Sequence, residues 1–118
     1  NTDTQKIIGS YDNQIYHVPL RDIYYFESVD ANTYAYTKDK ILKVSNTLQQ
    51  LQISLANSSF FRCSKSMILN IYQIESLKSE SGNRINATLT NQEHVMISRK
   101  YAKDLRQILR RNGENEDE

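Results

Sequence analysis

The chain has 118 residues, enough for one domain with its own core and too few for two. Hydrophobic residues make up 38% and charged residues 25%, a globular composition without any apolar run near the ~20 residues that span a bilayer. The formal net charge of +1 conceals a polarity: residues 60–111 hold ten Lys/Arg against four Asp/Glu, residues 1–59 five against six, and residues 112–118 four acids alone. A polyanion would meet the second half of the domain, although an ordinary solvated surface accounts for the same balance. The polar opening Asn1-Thr2-Asp3-Thr4-Gln5-Lys6 is unlike a secretory leader, and the absent initiator Met suggests a fragment or processed chain. A single cysteine, Cys63, excludes an internal disulfide and, with the distant His17 and His94, makes a poor zinc set. A reducing cytoplasm is expected, with no metal and no cofactor.

Short segments rich in β-branched and aromatic residues come first along the chain. Gln14-Ile15-Tyr16-His17-Val18 alternates, and Pro19 ends it. Ile23 to Val29 reads as a more buried strand. Asp30-Ala31-Asn32 turns into Thr33-Tyr34-Ala35-Tyr36-Thr37, and Lys38-Asp39 turns again into Lys40-Ile41-Leu42-Lys43-Val44, a hairpin pattern. The spacing of Leu48, Leu51 and Leu55 predicts a helix over residues 47–56, capped at Asn46 or Ser45. Phe60 and Phe61 then anchor the run Arg62-Cys63-Ser64-Lys65-Ser66, which leads into Met67-Ile68-Leu69-Asn70. Gly82-Asn83 marks a turn before a second hairpin, in which Arg84 to Leu89 pairs with His94 to Ile97. Tyr101, Leu105, Ile108 and Leu109 predict a last helix over residues 99–110, with Ser98 as N-cap and Arg110 and Arg111 at its negative end. Asn112-Gly113 should stop it, leaving Glu114 to Glu118 as a disordered acidic tail.

Catalysis finds little support in these residues. The carboxylates are scattered, the histidines are isolated, and the three glycines form no phosphate loop. Cys63 beside Arg62 and Lys65 has the neighbours that lower a thiol pKa, yet no His lies close in sequence, so a small buried side chain is the commoner case. An enzyme is not expected. Two clusters instead carry cations and hydroxyls next to apolar anchors. Period-two alternation would send Arg62, Ser64 and Ser66 one way and Cys63 and Lys65 the other, unless a loop breaks it. Ser98-Arg99-Lys100 falls on the first turn of the last helix, where free N–H groups hold phosphate and an Arg can fork onto guanine. Tyr24, Tyr25, Tyr34 and Tyr36 sit at strand positions that suit a core or sheet face better than a base-stacking platform.

The order of these features resembles the LytTR DNA-binding domain of bacterial transcriptional regulators, over nearly all of residues 6–109. The matching marks are Ile23-Tyr24-Tyr25-Phe26-Glu27-Ser28, a turn and Tyr34; the Leu48/Leu51/Leu55 helix; Phe60 to Ser66 leading into Ile68-Leu69-Asn70, with Ile74; and the closing Ile97-Ser98-Arg99-Lys100-Tyr101. The resemblance implies a mainly β, elongated fold of small antiparallel sheets with two short helices, whose loops enter successive major grooves of a repeated site. It implies a linker or truncated upstream segment at residues 1–5, the binding domain at 6–111 and the tail at 112–118. Carried over, the base contacts fall on Thr33 (with Asn32 as its alternative), Lys65 and Arg99. The phosphate contacts fall on Ser64, Ser66, Ser98 and Lys100, joined by Arg62. Short stand-alone regulators of this kind are the nearest likeness, which implies double-stranded DNA with paired direct repeats, a dimer on DNA and a restraining membrane-bound protein as partners. The competing expectation is a β-rich protein-interaction module whose basic side docks an acidic partner; single-strand or RNA binding is a third.

Overall fold

The computed structural model describes residues 5–117 in backbone and 5–110 in side chain. Ten strands and two α-helices follow in the order β1 (Lys6–Tyr11), β2 (Gln14–Pro19), β3 (Ile23–Val29), β4 (Asn32–Thr37), β5 (Ile41–Val44), α1 (Leu48–Ser54), β6 (Phe60–Ser64), β7 (Met67–Asn70), β8 (Ile74–Glu80), β9 (Arg84–Leu89), β10 (His94–Ile97) and α2 (Arg99–Asp117). Seven strands form one sheet in the order β2-β1-β5-β4-β3-β7-β6, and three form a second in the order β10-β9-β8. Among the described residues, neighbouring strands pair antiparallel throughout. The molecule measures 45 × 31 × 26 Å, so it is elongated as the resemblance implied.

Turn chemistry explains the hairpins. Asp12 and Asn13 have φ of 52° and 63°, and Asp30 and Ala31 have φ of 51° and 67°, so both pairs adopt the doubly left-handed turn that matches strand twist. Gly9 in β1 is required by close approach, since a Cβ there would stand 2.8 Å from Leu42 Cβ. Gly82 (φ 77°) and Asn83 (φ 61°) make the tight connection from β8 to β9.

Each face of the large sheet feeds a different core. On one side Leu20, Ile23, Phe26, Ala35, Leu42, Phe60 and Ile68 pack with Leu48, Leu51 and Leu55 around α1. On the other, Tyr24, Tyr25, Phe61, Cys63 and Leu69 meet Ile85, Leu89 and Ile97 of the small sheet and Ala102 and Leu105 of α2. Asn70, fully buried, ties the end of β7 to the chain before β3. Its Nδ2 donates to the Ile23 carbonyl at 2.9 Å, while its Oδ1 accepts from the Ser59 hydroxyl at 2.7 Å and the Tyr72 N–H at 3.0 Å. Every polar atom of that side chain is thereby used, which makes its burial tolerable.

Several expectations are corrected. β1 and β8 were not anticipated: Lys6–Tyr11 does not alternate cleanly, and β8 is exposed along nearly all its length. Helix α1 is capped by Thr47, one residue later than expected. Thr47 Oγ1 accepts from the Gln50 N–H at 3.1 Å and Gln50 Oε1 accepts from the Thr47 N–H at 3.0 Å, a reciprocal capping box. Helix α2 continues through Asn112 and Gly113 to Asp117, where a stop was expected. Gly in a helix interior costs about 1 kcal/mol and ends it only where a left-handed residue is needed. The side chains of the expected acidic tail lie outside the described residues.

Candidate nucleic-acid interface

Arg62, Ser64, Lys65 and Ser66 occupy the β6–β7 hairpin, where the ladder slips between Arg62 and Ser64. That bulge breaks the simple alternation. Cys63 turns fully into the core, while Lys65 and Ser66 stand exposed on the two-residue connection. The cysteine's thiol donates to the Met67 carbonyl at 3.7 Å. Burial pushes this thiol from 9.0 up to about 12, outweighing the opposing pull of the Arg62 charge, so the lowered pKa that its neighbours suggested is not found.

Arg62 is half-buried and makes three hydrogen bonds within the protein. Its Nε donates to the Ser64 carbonyl at 2.7 Å, Nη1 to Gln52 Oε1 of α1 at 2.8 Å, and Nη2 to the Lys65 carbonyl. Two of these bonds brace the loop carrying Lys65 with a planar fork. Ser64 Oγ accepts from the Ser66 N–H at 3.2 Å, and the Ser66 carbonyl accepts from the Ser28 N–H at 2.8 Å. Ser28 also pairs with Thr33, so the Asp30-Ala31 turn and the Lys65-Ser66 turn lie side by side at one end of the large sheet.

Thr33 does not reach that rim. It is only 6% exposed, paired between Ser28 and Val44, and Asn32 is the more accessible side chain at the turn. Alternation explains this, because Thr33 shares a face with the buried Ala35.

Arg99 and Lys100 stand exposed on the first turn of α2, after Ser98, whose carbonyl accepts from the Ala102 N–H at 2.7 Å. Arg99, Lys100, Lys103, Arg106 and Asn83 line one shallow concavity of about 410 Å³. Lys103, Arg106 and Asn83 were missed in sequence; the signal was a basic residue at positions i, i+4 and i+7 of the last helix. A second groove, about 700 Å³, runs between α1 and α2 and is lined by Arg62, Phe61, Tyr101 and Asp104 among others. The brace of the Lys65 loop and the second turn residue of α2 thus border one depression.

Of the strand tyrosines, Tyr24 and Tyr25 are buried and Tyr34 and Tyr36 half-buried. Tyr25 and Tyr36 stack with ring centroids 4.4 Å apart. Tyr25 donates to Glu93 Oε2 at 2.9 Å, and Tyr36 to Glu27 Oε1 at 3.0 Å. Burial, then the bonded carboxylate, raises both phenol pKa values. Glu93 lies beyond β9, so Tyr25 binds the two sheets together. Among the described residues, no group of His, Cys, Asp and Glu could hold a metal ion, and no helix is long and apolar enough to cross a membrane.

Comparison with known proteins agrees with this architecture. The solved LytTr DNA-binding domain of a Bacillus cereus response regulator superposes with a TM-score of 0.84 at 24% identity, over 90% of this chain and 97% of that one. An uncharacterized HTH-type transcriptional regulator of Staphylococcus aureus strain bovine RF122 / ET3-1 is 30% identical over 103 residues, 87% of this chain and 69% of that protein. The corresponding protein of strain NCTC 8325 / PS 47 is similar to the same extent. The described α-helices here are separated by five strands, so they form no helix-turn-helix pair. The family model for the LytTr DNA-binding domain matches residues 13–110, and the chain belongs to that family.

Proposed function

We propose that this domain gives a bacterial transcriptional regulator sequence-specific hold on duplex DNA, with its loops seated in successive major grooves of a repeated site. The observation that carries this reading is the braced Lys65 turn. An exposed cation is held on a loop whose backbone accepts two hydrogen bonds from one guanidinium, itself anchored to Gln52 of α1, which lowers the ordering cost of binding. Lys65 and Arg99 read base edges, and Asn32 takes the place first given to Thr33. Ser64, Ser66, Ser98 and Lys100 hold phosphates, the Ser64 hydroxyl proton being free to donate because its oxygen serves as the internal acceptor. Arg62 acts through the loop as a positioning residue. Two copies on paired direct repeats would form the regulatory complex, and a membrane-bound protein that masks the basic rim would restrain it.

Selection of bound duplexes from a random pool, followed by mobility-shift titration, tests this reading. A repeated consensus is expected. Arg99→Ala should cost about 1–3 kcal/mol on the selected duplex and relax one base position. Binding without any sequence preference would instead point to the basic side docking an acidic partner.

A further inference from the structure

Helix α2 carries more positive charge than two base-proximal residues require. At 3.6 residues per turn, Arg99, Lys103, Arg106 and Arg110 fall within an arc of roughly 60°, along about 16 Å of helix. The helix's buried residues, Ala102 and Leu105, lie on the flank next to Arg106, against the small sheet. Asp104, the single acid among residues 99–110, points instead into the groove beside Arg62. Among the described residues the sole ion pair is Lys40–Asp39, so no described acid pairs with Arg99, Lys103 or Arg106. Like charges at i, i+4 weaken a helix slightly, a cost that a bound polyanion would offset. The Arg106 Nη1 donates to the Asn83 carbonyl at 3.4 Å, which orients the row beside the β8–β9 turn.

We infer that Lys103, Arg106 and Arg110, in line with Arg99, form a phosphate track that guides the DNA backbone along α2, beyond the base-reading residues. The inference rests on the DNA-binding reading and extends it to three residues outside the expected contacts. A duplex strand advances about 3.4 Å per phosphate along its axis, so the stretch of about 10 Å from Lys103 to Arg110 spans about three phosphates. These contacts carry no base information; they set register and supply salt-sensitive affinity.

The test uses Lys103→Gln, Arg106→Gln and Arg110→Gln, singly and together, in the full chain. Binding is measured across a salt series on a random-sequence duplex and on the duplex selected above. Each substitution should weaken both duplexes by the same factor and reduce the slope of log K against log salt by about 0.9, leaving their affinity ratio unchanged. Arg106→Lys, which keeps the charge but loses the fork, should retain the slope and serves where a neutral variant fails to fold. A triple variant with the wild-type slope overturns the track while leaving the base-reading loops standing. Wild-type protein that binds no duplex at all overturns the DNA-binding reading itself.

Discussion

Arg62 shows how one side chain changes meaning once its partners are known. As a cation beside two serines it reads as a phosphate ligand, yet three of its nitrogens donate within the protein. Lys cannot reproduce that planar fork. Arg62→Lys should therefore weaken the selected duplex about tenfold and blur preference at the base read by Lys65, while the salt slope stays within experimental error of wild type; competition titration with single-base variants checks this. Cys63 gives a second residue-scale prediction. With its thiol held near 12 in the fold, the native state keeps a proton that the unfolded chain releases above about pH 9. That contribution to stability is complete below pH 9 and is lost as the pH rises toward 12. Tyr25 adds a loss of the same sign from about pH 10, the ordinary phenol value. Urea midpoints should fall from about pH 9 upward, and in Cys63→Ala the fall should begin about one pH unit later.

At the scale of elements, legibility followed periodicity. β2 to β5, β9, β10 and the leucine face of α1 were readable because alternation or helical spacing survives wherever one face is buried and the other wet. β1 and β8 lacked that contrast. β8 is paired on one edge and solvated on both faces, so its side chains carry little pattern, and Gly9 interrupts β1. Gly9 itself answers to a contact with Leu42 in β5, distant in sequence, which no local window reveals. Gly9→Ala should destabilise the fold by roughly 1–3 kcal/mol through that overlap, read as a lower urea midpoint with an unchanged slope. The interface divided in the same manner. Lys65 and Arg99 were identifiable as exposed tips, whereas the burial of Thr33 depended on register and the inward turn of Arg62 on a partner in α1.

The whole molecule joins two sheets with few crossings. Helix α2 packs on β6 from one side and on β9 from the other, and the Tyr25–Glu93 hydrogen bond closes the far end. The Lys65 turn belongs to the first sheet, and the Asn83 concavity with Arg99 to the second sheet and its helix. Losing the Tyr25 hydroxyl should loosen the junction without unfolding either core, so Tyr25→Phe is expected to cost about 1 kcal/mol or slightly more in urea denaturation.

That junction makes the protein a caliper with its jaws locked. The span between the two proposed contact points is set by packing instead of by a flexible tether, so on the proposed reading the domain would gauge distance along the double helix as well as letters. One extra base pair placed between the two contacted positions would rotate and advance the second beyond reach, and the selected duplex should then bind no better than random sequence.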